Sequence, residues 1–277
     1  VIKNLLLRSV SGSIYVLLVL LACFSGESAL LFWASFLGMA ALSEWHTFAK
    51  ESSKVSLPNF MTVGLFLTAL WSKSGYWKLS GPQGALFDFI LIMLLAVLVL
   101  WQVFHPRKSS LNALYHSFFG LFYIGFPLFL LVQLPFFDDL FEPWLLVAVY
   151  ILIWTLDTFA YLVGISLGKH PFFPRVSPKK TWEGLIGGIL FTLVAALVMA
   201  YQLPFFPLQG WLGLALVIIF AATVGDLFES ALKRAYGLKD SGNFMPGHGG
   251  ILDRIDSLLF AVPMAYFYLR LLEKYYL

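Results

Sequence analysis

The chain is 277 residues long, 60% hydrophobic and only 12% charged, with a mean hydropathy of +0.85. A soluble domain carries roughly 25% charged residues, so this composition excludes a water-coated globule and makes lipid the solvent for most of the protein. The one cysteine, Cys23, excludes an internal disulfide framework and a cysteine metal cluster. The net charge of +3 is small, so the placement of charge matters more than its sum.

A helical crossing needs about 20 apolar residues. In chain order, nine candidate spans cover 11–23, 29–42, 59–71, 89–104, 118–134, 144–164, 185–201, 211–224 and 258–272. The first lacks a convincing small-residue cleavage site and reads as a retained helix rather than a signal peptide. The eighth is expected to continue as helix past the membrane, through Gly225 toward Tyr236. Trp71, Trp101, Trp144 and Trp211 fall at span ends, where amphipathic rings favour the headgroup layer.

Nine spans segregate the basic residues. Lys3, Arg8, Lys50, Lys54, Arg107, Lys108, Lys169, Arg175, Lys179, Lys180, Lys233, Arg234, Lys239 and Arg254 share one side; Lys73, Lys78, Arg270 and Lys274 take the other. The positive-inside rule then puts the N-terminus in the cytoplasm, and the acidic loop with Asp138, Asp139 and Glu142 outside. The expected fold is an all-α integral membrane protein of about nine transmembrane helices, with its chemistry at the cytoplasmic helix ends. No internal repeat or soluble domain is visible.

Charges within apolar spans are costly and mark function or a buried pair. Asp157 is such a residue, with Tyr161 one turn on along the same face. It reads equally as the wall of a substrate or ion site and as a structural carboxylate. Glu44, near the cytoplasmic end of the second span, is weaker evidence of a site, because an interfacial acid needs no function. The densest cluster runs from Gly225 to Arg234. If helical, it places Asp226, Glu229, Ser230 and Lys233 on one face.

A second acidic pair, Asp253 and Asp256, follows across a glycine-rich loop containing Gly242, Gly247, Gly249 and Gly250. Such a loop lets backbone N–H groups approach an anion. Carboxylates facing one another across it would need a cation between them, and hard oxygen ligands suit Mg²⁺. The plainer alternative is a set of solvated caps and ion pairs. Upstream, Ser177 followed by Pro178 fits an N-cap with proline in the first helical position. A helix starting there would offer its N-terminus, with Lys179 and Lys180, to a phosphate; the plainer reading of the same loop is positive-inside charge with headgroup attraction.

Ser230, Lys233, Arg234, Lys239, Asp240, Gly242, Pro246, His248, Gly249, Gly250, Asp253, Arg254 and Asp256, in that order, resemble the signature of the phosphatidate cytidylyltransferase (CDP-diacylglycerol synthase) family. The segment 177–181 and the Asp157 helix are similar to upstream family segments, and the likeness is strong from about residue 150 onward. The division expected is therefore scaffold spans over 1–150 and a catalytic region over 151–277.

The resemblance implies cytidylyl transfer from CTP to phosphatidate by a Mg²⁺-dependent homodimer of the bacterial cytoplasmic membrane. The site would face the cytoplasm, a K⁺ ion would stand beside the magnesium, and no nucleic acid would be involved. On that reading Asp226 and Asp253 hold the metal, with Asp256 completing or supporting the site. Lys233, Arg234, Lys239 and Arg254 neutralise the triphosphate, and His248 bonds a phosphate or orients an acid. Asp157, Ser177, Lys179, Lys180, Ser230, Gly249 and Gly250 line the substrate site. The rivals are another CTP-dependent lipid transferase, such as a polyprenol kinase, and a transporter, which would carry its charges near the bilayer midplane in matched halves.

Overall fold

In hydrocarbon a backbone N–H has no water to bond, so apolar runs of this length satisfy themselves as helices. The structure, a computed structural model, describes residues 2–53, 59–72, 93, 110–137, 140–238, 241–242, 244 and 249–276. Its helices are α1 (Ile2–Phe24), α2 (Glu27–Ser53), α3 (Asn59–Ser72), α4 (Ser110–Gly120), α5 (Phe126–Gln133), α6 (Pro143–Leu167), α7 (Trp182–Gln202), α8 (Leu208–Ala235) and α9 (Leu252–Tyr276). A π-helical turn, Leu121–Gly125, joins α4 to α5. Two short antiparallel hairpins interrupt the helices: β1 (Phe136–Phe137) with β2 (Leu140–Phe141), and β3 (Pro171–Phe173) with β4 (Ser177–Thr181).

Among the described residues, six helical stretches are long and apolar enough to cross a membrane: Glu27–Thr47, Tyr115–Gln133, Pro143–Leu167, Trp182–Gln202, Leu208–Ala235 and Leu252–Tyr275. They coincide with the second, fifth, sixth, seventh, eighth and ninth expected spans. The first is a shorter apolar helix, Val10–Phe24. The third is the 14-residue α3, and the fourth, 89–104, lies outside the described residues except for residue 93. The eighth continues as helix to Ala235, as its pattern predicts. Outward faces carry Phe32, Phe122, Ile165, Leu190, Phe220 and Leu271, all exposed, which suits a hydrocarbon surround and no aqueous one.

The chain forms two compact units. The first comprises Val1–Gln133 and Tyr236–Arg254. Its core is centred on Trp45, which is 1% exposed. The indole donates to the His116 carbonyl at 2.8 Å and meets the rings of Phe119, Tyr123 and Tyr236. Tyr236 in turn hydrogen-bonds His116 Nδ1 at 3.1 Å.

The second unit comprises Leu134–Ala235 and Ile255–Leu277. There α6 and α7 pack almost backbone to backbone. A Cβ on Gly184 would lie 2.6 Å from the Ala160 carbonyl oxygen, and one on Gly188 would lie 2.8 Å from that of Leu156. Small residues at the contact let membrane helices approach this closely.

The segment after α6 departs from expectation. Ser177 does not cap a helix. Residues Ser177–Thr181 form β4, paired so that Phe173 faces Ser177 and Pro171 faces Thr181. The N-cap is Thr181, whose hydroxyl accepts from the Gly184 N–H at 3.2 Å, and the helix starts at Trp182. Pro178 leaves its predecessor biased toward extended backbone, which suits a strand as well as a helix start. Pairing with β3 and the better-placed threonine decide between them. Glu183 secures the hairpin base by accepting from the Lys169 and His170 N–H groups at 3.1 and 3.2 Å, and it pairs with the His170 ring.

Candidate active site

The charged residues form a group within each unit. In the second unit, the three- and four-residue steps along α8 put Asp226, Glu229, Ser230 and Lys233 on one face. Glu229 is 1% exposed and forms an ion pair with Lys233. Asp226 is paired with Lys180, which reaches it from β4. Successive strand residues point to opposite faces. Of the two adjacent lysines, Lys180 is therefore turned to the carboxylates while Lys179 is exposed.

Asp256, one turn into α9, lies within electrostatic range of Asp226, Glu229 and Asp157. This grouping depends on Gly225: a Cβ there would sit 2.8 Å from the Asp256 carbonyl oxygen. Four carboxylates thus stand with two ammonium groups, an excess of hard, anionic oxygen. That donor set fits a divalent cation of the Mg²⁺ kind. Among the described residues, no group of three or more His, Cys, Asp or Glu side chains is already arranged as a metal cage.

The first unit holds the part of the signature from Tyr236 up to Arg254. Asp253 Oδ2 accepts from the N–H of Ser241, the hydroxyl of Ser241 and the N–H of Gly250, each at 2.9 Å. The Ser241 hydroxyl is also 3.0 Å from Glu44 Oε2, so its single proton is shared between two carboxylates. Glu44 further accepts from the Ile251 N–H at 2.8 Å and the Leu252 N–H at 2.9 Å. Gly249 takes φ +87°, a left-handed backbone that favours glycine.

The expected site residues fall out as follows. Asp157, Lys180, Asp226, Lys233 and Asp256 share the second unit with Ser177, Lys179, Ser230 and Arg234. Asp253, Arg254, Gly249 and Gly250 belong to the first. Arg234 and Arg254 are exposed, and Ser177 and Ser230 are half-buried. Lys239 and His248 lie outside the described residues. Two acids left out of the expected set prove central to these groups. Glu229 was visible in the sequence through its three-residue step from Asp226. Glu44 carried only the weak signal of an acid at a span end, because its partners lie 197 to 208 positions along the chain.

The chain is similar in sequence to proteins of one family. The model of the Cytidylyltransferase family matches residues 6–272. The phosphatidate cytidylyltransferase of Staphylococcus aureus (strain COL) is 32% identical over 262 residues, covering 93% of this chain and 96% of that protein. The phosphatidate cytidylyltransferase of Bacillus subtilis (strain 168) is 37% identical over 235 residues, or 80% and 82% of the two chains. That of Rickettsia bellii (strain RML369-C) is 34% identical over 187 residues, or 65% and 78%. With the family match spanning nearly the whole sequence, the chain belongs to the phosphatidate cytidylyltransferase (CDP-diacylglycerol synthase) family.

Proposed function

We propose that this chain transfers the cytidylyl group of CTP to phosphatidate, giving CDP-diacylglycerol and pyrophosphate. The observation that carries the reading is the meeting of Lys180 with Asp226, beside Glu229 and Asp256, within a chain matched by the family along nearly its whole length. In this reaction a phosphatidate phosphomonoester oxygen bonds to the α-phosphorus of CTP. The bond from that phosphorus to the β-phosphate oxygen breaks, and its electron pair leaves with pyrophosphate. The attacking oxygen is already anionic at neutral pH and needs little help from a base. The obstacle is repulsion between two polyanions, so catalysis reduces to positioning and charge neutralisation.

Mg²⁺, when bound, supplies a Lewis acid that neutralises the phosphate oxygens, and Asp226, Asp253 and Asp256 are the residues assigned to hold it. Lys180 and Lys233, on long flexible stems, exchange their carboxylates for substrate phosphate as the anions arrive. Arg234, Lys239 and Arg254 offset the charge of triphosphate and leaving pyrophosphate, while Lys179, Ser177 and Ser230 steady phosphate groups. Gly249 and Gly250 allow backbone N–H groups near the nucleotide, His248 bonds a phosphate, and Asp157 walls the site. A K⁺ ion beside the magnesium follows from the family resemblance.

The wider reading is a homodimer of nine transmembrane helices in a bacterial cytoplasmic membrane, N-terminus inside. Residues 1–150 act as scaffold and 151–277 as the catalytic region, with the acyl chains of phosphatidate left in the bilayer. No nucleic acid takes part. In a cysteine-free background, R175C should react with an impermeant thiol reagent only from the cytoplasmic side and L140C only from outside; the reverse would invert the topology. The reaction is tested with labelled CTP and detergent-purified protein. CDP-lipid and pyrophosphate should form only when phosphatidate and Mg²⁺ are both present. Turnover with a polyprenol but not with phosphatidate would overturn the acceptor.

A further inference from the structure

We infer that Glu44, on α2, is a positioning residue for the signature turn 249–253. The inference rests on the cytidylyl-transfer reading and extends it to a residue outside the expected catalytic region. The helix α9 begins at Leu252, and its first N–H groups have no partners within the helix. The residue before it is Ile251, whose side chain accepts nothing. Glu44 takes that place from a distant part of the chain, with Oε1 accepting from the Ile251 N–H at 2.8 Å and Oε2 from the Leu252 N–H at 2.9 Å. The positive end of the helix dipole makes the arrangement favourable for an anion.

The same carboxylate reaches the acid of the signature through one shared hydroxyl. Ser241 Oγ is 3.0 Å from Glu44 and 2.9 Å from Asp253, and it also accepts the Asp253 N–H at 3.3 Å. Glu44 therefore sets where Ser241 stands, and Ser241 and Gly250 set where the Asp253 carboxylate points. Two signature glycines gain a second reason to be glycine. A Cβ on Gly242 would lie 2.8 Å from Glu44 Oε1, and one on Gly250 would collide with the Glu44 carboxylate and the Ser241 hydroxyl. The space that these glycines leave is filled by an acid from another helix. A local cap would have held α9 alone; a cap from α2 fixes the turn to the scaffold.

The test compares wild type, E44A, E44Q and S241A as full-length purified protein. It reads kcat and KM for CTP per folded molecule, and the rise in Tm that CTP with Mg²⁺ produces. Removing the acceptor leaves two N–H donors unsatisfied and frees the turn. E44A should then lower kcat/KM for CTP about tenfold or more and remove most of the nucleotide-induced rise in Tm. E44Q, which keeps one acceptor oxygen but turns an NH₂ donor toward the other donors, should fall between. A purely structural acid would change the Tm without nucleotide and leave kcat/KM of the folded fraction untouched, and that result in E44A overturns the inference. If E44A does not fold, S241A carries the test, with about a threefold or greater loss expected and wild-type kinetics overturning it. Absence of turnover in the wild type itself would instead defeat the cytidylyl-transfer reading.

Discussion

The two groups of carboxylates are neutralised by different chemistry. In the second unit Asp226 and Glu229 face the ammonium groups of Lys180 and Lys233. In the first unit Asp253 and Glu44 face backbone N–H groups and one hydroxyl. A lysine head moves on four methylenes and can trade its carboxylate for an arriving phosphate or cation. A backbone N–H at a helix start cannot leave without unwinding the turn. The first kind of partner suits groups that must exchange partners during a reaction, and the second suits groups that must stay where they are. Carboxylates alike in sequence are thus divided by their partners into reactive and anchoring sets.

Several experiments would break or sharpen that division. The largest effect is expected from the divalent cation: chelation should abolish CTP turnover, and added Mg²⁺ should restore it. Turnover that survives chelation would remove the metal from the reactive set. Next, D226N and D256N should each lower kcat about 100-fold or more without lowering the Tm. Each removes one of four crowded carboxylates, so the loss of repulsion offsets the lost Lys180 ion pair in D226N and the weakened bond from the Ser257 N–H in D256N. A marked fall in Tm for either would move it into the anchoring set.

K180M should lower kcat/KM for CTP or phosphatidate by about 10- to 100-fold, and kinetics with each substrate varied would show which phosphate it meets. Normal kinetics would mean that the lysine merely balances Asp226. D253N, which alters an assigned metal ligand and the clamp around it, differs from these variants in its effect on stability. Its amide can still accept but turns an NH₂ toward the same donors. That change should cost about 1–3 kcal/mol of stability, read as a lower Tm, whether or not metal is present. A D253N protein with unchanged Tm would erase the contrast between the two groups.

Part of this could be read in advance. The ladder Asp226, Glu229, Ser230 and Lys233 followed from helical periodicity, and α8 carries it as expected. Lys180 was expected near phosphate chemistry and does meet Asp226, though from a strand and not from the start of a helix. Ser177-Pro178 is compatible with both local structures, and only the pairing of β4 with β3 selects one.

Local physics, then, determined a good deal by itself. Apolar length makes spanning helices, because backbone groups in lipid must bond within their own segment. Three- and four-residue spacing makes charged faces, and the order of the signature marks the family. Those properties depend on neighbours within a few positions. What the tertiary structure alone decided is which charges are partnered, and by whom. Glu44 looked like an idle interfacial acid until its acceptors were matched with N–H groups more than 200 positions away. Asp253 and Asp256, three residues apart on one helix, were split between a clamped turn and a crowded cluster. Hydrogen bonds and screened charges act over a few ångströms of space whatever the separation in sequence, so no local pattern could have assigned those partners.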